Sequence, residues 1–169
     1  MNEEAERDYG DYVVARSPAL CRFAYLLCGD WHRAEDAVQN ALTKLYLRWG
    51  RLRDGRTVDA YVRRVLINSV IDERRLARFR REALSARLPE PPGGPDPADR
   101  VDQRLAVFDA LARVPPRQRA VLVLRYWEDQ SIEQVAELLG CSPGTVKSQA
   151  ARGLQTLREL LDVDVSTNV

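Results

Sequence analysis

Apolar residues recur at intervals of three and four along most of this 169-residue chain. That is the spacing of amphipathic helices, not the alternation of strands. Leu20, Phe23, Ala24 and Leu27 form a first stripe, opened by Ser17-Pro18 and closed by Gly29. Asp30 caps a second helix, with Ala34, Val38, Ala41, Leu42, Leu45 and Trp49 on its apolar side and Gly50 at its end. The stretch RLRDGRT, 51–57, reads as a polar loop. A third helix is expected from about Asp59 to Ala83, and its VLINSVI segment is apolar almost all round, which predicts burial on most sides. Val101, Leu105, Phe108 and Leu111 mark a fourth helix. Pro115-Pro116 breaks it and opens the next, which runs through Arg125. The predicted fold is all-α.

The stretch LLGCSPGTVKSQ, 138–149, stops one helix and starts another within three residues. Upstream, Ser131 and Gln134 have the spacing of a capping box. Ile132, Val135, Ala136 and Leu139 follow at helical intervals, and Gly140 supplies a left-handed stop. Ser142 then suits an N-cap, and Pro143 the first helical position, where no N–H is needed. Val146, Ala150, Leu154 and Leu157 form the next stripe. Two helices on a tight glycine turn read either as a DNA-binding helix-turn-helix or as a plain helical hairpin.

Between 84 and 100, LSARLPEPPGGPDPADR holds five prolines and two glycines, the composition of an extended linker. The chain therefore divides into a helical domain at 1–83, a linker at 84–100 and a helix-turn-helix domain at 101–169. The tail from Asp162 is expected to fray. The first residues, MNEEAERDYGDY, are acidic and lack an apolar centre, so no secretory signal is expected. No apolar run approaches the roughly 20 residues of a membrane span. The expected location is the cytoplasm.

Net charge is only +1, but the charges are blocked. Residues 61–82 hold seven Arg against three acids, and residues 104–127 hold five Arg against Asp109. Residues 128–139 hold four acids and no base. Such blocks suit localised nucleic-acid contacts with other surfaces left for protein partners, or else they are solvated helix faces. Three cysteines in an intracellular chain do not make a disulfide framework, and Cys21, Cys28 and His32 lack a fourth ligand. No metal and no cofactor is expected.

On the third helix, Tyr61, Arg64, Asn68, Asp72 and Arg75 fall along one stripe. An aromatic can stack on a base, Asn and Asp can read base edges, and Arg can hold phosphate. A polar face tied by i, i+4 hydrogen bonds is the alternative. Glu35, Asp36, Gln39, Asn40 and Thr43 form the polar side of the second helix. The neighbouring acids Glu35–Asp36 and Asp72–Glu73 point apart on a helix, so neither pair converges on two metals, and no catalytic residue is identified. The helix-turn-helix alone would fit a stand-alone regulator, which would bind its site unaided and usually as a dimer.

Three ordered segments go further: HRAEDAVQNALTKLYLRW, AYVRRVLINSVIDERR and VPPRQRAVLVLRYWEDQSIEQVAELLGCSPGTVKSQAARGLQTLR. Together they closely resemble a short bacterial sigma factor of the extracytoplasmic-function class, over roughly residues 10–160. Arg outnumbers Lys 24 to 2, as in proteins of GC-rich genomes, which points to the actinobacterial SigE-like branch. The resemblance implies a promoter-recognition subunit of RNA polymerase with no chemistry of its own. By position, Glu35, Asp36, Gln39, Asn40 and Thr43 would dock on the clamp helices of the largest polymerase subunit, with a further contact to the flap. Family members usually carry an acid and an aromatic where this chain has Asn40 and Leu42. The loop at 51–57 together with Asn68 would hold a flipped-out −10 base. Tyr61, Arg64, Asp72, Arg74, Arg75 and Arg78 complete that surface. Thr145, Lys147, Ser148, Gln149 and Arg152 would face the −35 element, with Lys147 and Arg152 on phosphate. Gln149 stands where relatives commonly have Arg. It either bonds adenine N6 and N7 or touches only phosphate and water. The implied partners are core RNA polymerase, promoter DNA and a separate anti-sigma protein.

Overall fold

The computed structural model describes residues 2–52, 55–83 and 101–167, with side chains for 2–52, 55–72 and 104–162. The expected linker at 84–100 lies outside the described residues. Every element among the described residues is helical, and no described helix is long and apolar enough to cross a membrane.

Helix α1 spans Glu3–Cys28. Asn2 caps it by accepting from the Ala5 N–H at 3.0 Å, and Glu3, Glu4 and Glu6 place negative charge at the positive end of its dipole. The sequence expectation began this helix at Ser17-Pro18; instead Pro18 lies inside it. Proline there costs one backbone bond. The loss falls near the surface, because Val14 is 79 % exposed and water can serve its carbonyl. The Ser17 hydroxyl also donates to the Val13 carbonyl at 2.6 Å.

What holds the early turns of α1 is an aromatic knot. Tyr9 meets Tyr46 and Trp49 edge-on, with ring centroids 5.1 and 5.4 Å away, and its hydroxyl donates to the Leu42 carbonyl at 2.9 Å. The Tyr12 hydroxyl donates to the Asp59 carboxylate at 2.9 Å, and Arg16 pairs with the same carboxylate. Burial pushes the Tyr12 phenol above its ordinary pKa, although the Arg16 charge pulls the other way. Tyr12 therefore stays a donor to Asp59 at neutral pH.

Gly29 ends α1 at φ 76°, its N–H bonding to the Tyr25 carbonyl at 2.7 Å. Asp30 caps α2, Trp31–Tyr46, by accepting from the Arg33 N–H. Ala34, Ala37 and Ala41 are buried on α2, and such small side chains let its backbone approach α1 closely. A short 3-10 turn, Trp49–Arg51, leads toward α3, Gly55–Ala83. This helix starts a turn earlier than the expected Asp59. Val58, Val62, Leu66, Ile67 and Val70 bury its inner side, as the VLINSVI pattern requires.

The second half comprises α4, Val101–Arg113; α5, Pro116–Leu122; a π-type turn, Val123–Trp127; α6, Ile132–Leu139; and α7, Pro143–Thr167. The expected signals hold. Ser131 and Gln134 form a reciprocal capping box, and Gly140 is left-handed at φ 64°. Ser142 accepts from the Thr145 N–H at 3.1 Å. The tail differs, since α7 continues past Asp162 to Thr167.

Helix α7 crosses α5 at Gly153, which is buried. A Cβ there would lie 3.1 Å from Leu122 Cγ and 3.3 Å from Gln118 Cβ. Gly153→Val is therefore expected to lower stability by about 1–3 kcal/mol, the usual cost of overpacking. A fall in the thermal unfolding midpoint reads this out, and an unchanged midpoint would show that α7 has room to shift.

The buried residues of the two halves form one continuous cluster, from Leu20 on α1 to Val146 on α7. The halves touch through α1 with α4 and α5, and through α3 with α5 and α6. The sequence predicted two helical halves, but nothing in its periodicity predicted that they would pack on each other.

Candidate nucleic-acid and polymerase interface

The polar side of α2 forms as expected. Glu35, Asp36, Gln39, Asn40 and Thr43 are all exposed, while Ala34, Ala37, Val38, Ala41 and Leu42 turn inward. The Thr43 hydroxyl donates to the Gln39 carbonyl at 2.9 Å, which keeps its methyl and Gln39 in register on the face. Asn40 belongs to the exposed face. Leu42 does not, since it is 8 % exposed. Beside this face, burial and the Glu35 charge raise the Cys21 thiol above its usual pKa, leaving it a weak nucleophile at neutral pH. Cys28 is buried and its thiol donates to the Asp30 carbonyl at 3.2 Å.

The stripe on α3 is partly assembled. Arg64, Asn68 and Asp72 are exposed, and Tyr61 is half-buried. The Arg48 guanidinium sits over the Tyr61 ring, 5.4 Å from its centroid. Arg48 therefore joins this surface, a residue that helical spacing missed because it comes from the turn after α2. Arg64 is not free for phosphate, because it donates to the Glu137 carbonyl of α6 at 3.1 Å. The side chains of Arg74, Arg75 and Arg78 lie outside the described residues.

On α7, Lys147, Ser148 and Arg152 are exposed, and Thr145 and Gln149 are half-buried. The Ser142 and Thr145 hydroxyls lie 2.9 Å apart, and Ser148 donates to the Thr145 carbonyl at 3.0 Å, so the first turn is held by its own hydroxyls. Lys147 and Arg152 bring two positive charges to the N-terminal half of a helix with no acid in its first turn. A helix of about 10–12 Å diameter with such a rim has the form that enters a major groove.

The structure also brings the α3 and α7 faces toward each other. Asn68 and Asp72 from α3, with Thr145 and Gln149 from α7, line one cavity of about 210 Å³. Around it the two halves are tied by side chains that the sequence reading did not single out. Arg119 on α5 is 2 % exposed, and its Nε donates to the Leu26 carbonyl near the end of α1 at 2.5 Å. Arg63 on α3 pairs with Glu128, after the π-type turn, at 2.6 Å. No local pattern marks these residues, because their partners lie 93 and 65 positions away.

Two family models match the chain, one in each half. Residues 13–80 match the family model described as Sigma-70 region 2, and residues 104–157 match Sigma-70, region 4. The RNA polymerase sigma-E factor of Streptomyces coelicolor is 42 % identical over 154 residues, spanning 91 % of this chain and 86 % of the relative. The ECF RNA polymerase sigma factor SigL of Mycobacterium tuberculosis is 38 % identical over 148 residues, spanning 83 % and 84 %. Among solved structures, the sigma factor RpoE of Bartonella quintana, in complex with the anti-sigma factor NepR, superposes with a TM-score of 0.72 at 27 % identity. That likeness covers 94 % of this chain and 99 % of the neighbour.

Proposed function

This chain belongs to the sigma-70 family, in its extracytoplasmic-function class, and on that premise we propose how its surfaces share the work of promoter-specific initiation. The unit at 1–83 binds core RNA polymerase and opens the −10 element, and the unit at 101–169 reads the −35 element. Residues 84–100 join them. The observation that carries this division is the exposed α2 face and α3 stripe in one unit with the cationic α7 face in the other.

The division of labour follows from chemistry. Glu35, Asp36, Gln39, Asn40 and Thr43 offer polar and acidic groups on a rigid helix, a surface suited to a polymerase helix of opposite charge. Tyr61, Asn68 and Asp72 offer a ring and short hydrogen-bonding groups to an unstacked base, whose extrusion costs a few kcal/mol. Lys147 and Arg152 anchor phosphate, while Thr145, Ser148 and Gln149 face base edges. In this reading the chain contributes recognition and strand opening, and the polymerase contributes the chemistry. An anti-sigma protein is the expected regulator, a reading supported by the complex in which the Bartonella neighbour was solved.

Run-off transcription tests the proposal. Core enzyme with this chain and a cognate promoter should give a discrete transcript, and either protein alone should give none. Site-specific binding by the purified chain as a dimer, with no effect on core enzyme, would instead establish a stand-alone regulator. Pull-down from native extract tests the regulator: a small partner besides polymerase is expected, and recovery of polymerase alone would count against it.

A further inference from the structure

We propose that Arg48 and Tyr61 act as one unit on single-stranded DNA: the Tyr61 ring seats the Arg48 guanidinium, and the guanidinium is the plane on which an unstacked base stacks. This role rests on the −10 function proposed above and deepens it, because the ring serves the base through the cation laid over it.

Tyr61 lies in the second turn of α3, half-buried and packed against the core cluster. Part of its surface is therefore taken up by protein. Over the ring stands the Arg48 guanidinium, 5.4 Å from the centroid. A base approaching this ring meets the guanidinium first. That group is planar and more weakly hydrated than an ammonium, and it stacks readily on aromatic faces. With the ring on one side of it, its other side is open to solvent, since Arg48 is exposed. Ring, guanidinium and base can then form three layers, with the cation attracted by the π-system of each neighbour.

The backbone that carries Arg48 is fixed. Its N–H donates to the Leu45 carbonyl, and its own carbonyl accepts from the Arg51 N–H, both at 2.9 Å. The next residue, Trp49, is held by the rings of Tyr9 and Tyr12, each with its centroid 5.4 Å away. The side chain thus starts from a rigid point, and the Tyr61 ring fixes its far end. Such preorganisation lowers the ordering cost of binding.

The charge of Arg48 is also available. Arg16 and Arg63 pair with carboxylates, and Arg64 donates to the Glu137 carbonyl. Among the described residues no carboxylate pairs with Arg48. A cation held by a ring keeps its N–H groups for a ligand, and the phosphates beside a stacked base supply acceptors. Asn68 and Asp72 are exposed on the same helix. They follow Tyr61 by about 10 and 16 Å at the helical rise per residue. One strand can therefore run from the stack to groups that read base edges.

The test is a double-mutant cycle in the holoenzyme, core polymerase with the full-length chain. The ligand is the labelled non-template −10 strand of the promoter used for run-off transcription, and anisotropy gives the affinity. Arg48→Ala should weaken binding about tenfold, within the range for losing one stacked base. Tyr61→Leu should weaken it by a similar factor, and Tyr61→Phe, which keeps the ring, should recover most of that loss. The double variant Arg48→Ala/Tyr61→Leu should be no weaker than either single one, because seat and plane act together. Arg48→Lys keeps the charge but not the plane, so it should stay well below wild type at an unchanged salt slope. Arg48 is exposed, so its variants should unfold at the wild-type midpoint and remain decisive even if Tyr61→Leu destabilises the chain. Losses that multiply to about a hundredfold in the double variant would show the ring stacking by itself and overturn the unit. Full activity of Arg48→Lys would reduce Arg48 to a phosphate charge and overturn the stack. Wild-type binding by Arg48→Ala would remove Arg48 from the DNA surface altogether. Absence of −10 binding and of a transcript with the wild-type holoenzyme would instead overturn the functional assignment, and this role with it.

Discussion

Asp36→Lys should weaken holoenzyme formation about a hundredfold while leaving the chain folded. Asp36 sits at the centre of the exposed α2 face, flanked by Glu35 and, one turn on, by Gln39 and Asn40. If this face meets a basic surface of core polymerase, the substitution replaces an attraction with a like-charge contact. Such juxtapositions at interfaces cost several kcal/mol, and about 2.8 kcal/mol is already a hundredfold in affinity. The fold should tolerate the change, because its substituent points to water and the burial that holds α2 comes from Ala34, Ala37, Val38, Ala41 and Leu45 on the opposite side. Exposed substitutions of this kind usually move stability by no more than about 0.5 kcal/mol. Anisotropy of labelled chain titrated with core enzyme gives the affinity, and thermal unfolding gives the control. Undiminished binding by Asp36→Lys would move the polymerase contact to another face.

The comparison between Asp36 and Leu42 shows what sequence could and could not supply. Both stand at positions tied to polymerase docking by resemblance, and helical spacing alone already put Leu42 on the apolar stripe. The structure buries it and leaves Asn40 outside. Asn40 and Leu42, the two departures expected from the resemblance, are therefore unlike: Asn40 lies on the exposed face and Leu42 in the packing beneath it.

Local punctuation was legible for a similar reason. Gly29, Asp30, Ser131, Gln134 and Gly140 act on backbone groups within four residues of themselves, so their meaning is carried in the string. The long first helix was not legible, because proline inside a helix reads as a start. It is the rings of Tyr46 and Trp49, distant in sequence, that secure the turns before Pro18 through Tyr9. The place of Arg119 was not legible either. In the string it is one of five arginines in a basic block; in the fold it is 2 % exposed and serves the end of α1. Charge counts find where cations are dense but cannot tell a DNA contact from an internal clasp. The π-type turn at Val123–Trp127 likewise has no signature in spacing, yet it leads to the loop that presents Glu128 to Arg63.

That ambiguity decides how the second large effect must be measured. Lys147→Ala combined with Arg152→Ala is expected to weaken −35 binding by roughly 10- to 100-fold near physiological salt, with little dependence on base sequence. Each lost phosphate contact removes about one released counterion, so the slope of log affinity against log salt should become shallower by about 1.8 for the pair. Both side chains are exposed and neither is part of the buried stripe of α7, so the loss should come from DNA and not from unfolding. The measurement belongs in the holoenzyme, the state in which the proposed function reads the −35 element. Gln149→Ala, run alongside, separates the two readings of that residue. A bidentate bond to adenine would be lost as about 1–3 kcal/mol of discrimination at one base pair, with the salt slope unchanged. A phosphate or water contact would leave base preference as it was. An unaltered salt slope in the Lys147/Arg152 variant would place the phosphate grip elsewhere on the second half. The exposed cations of α7 would then be solvated charge, and the assignment of this helix to the −35 groove would fall with them.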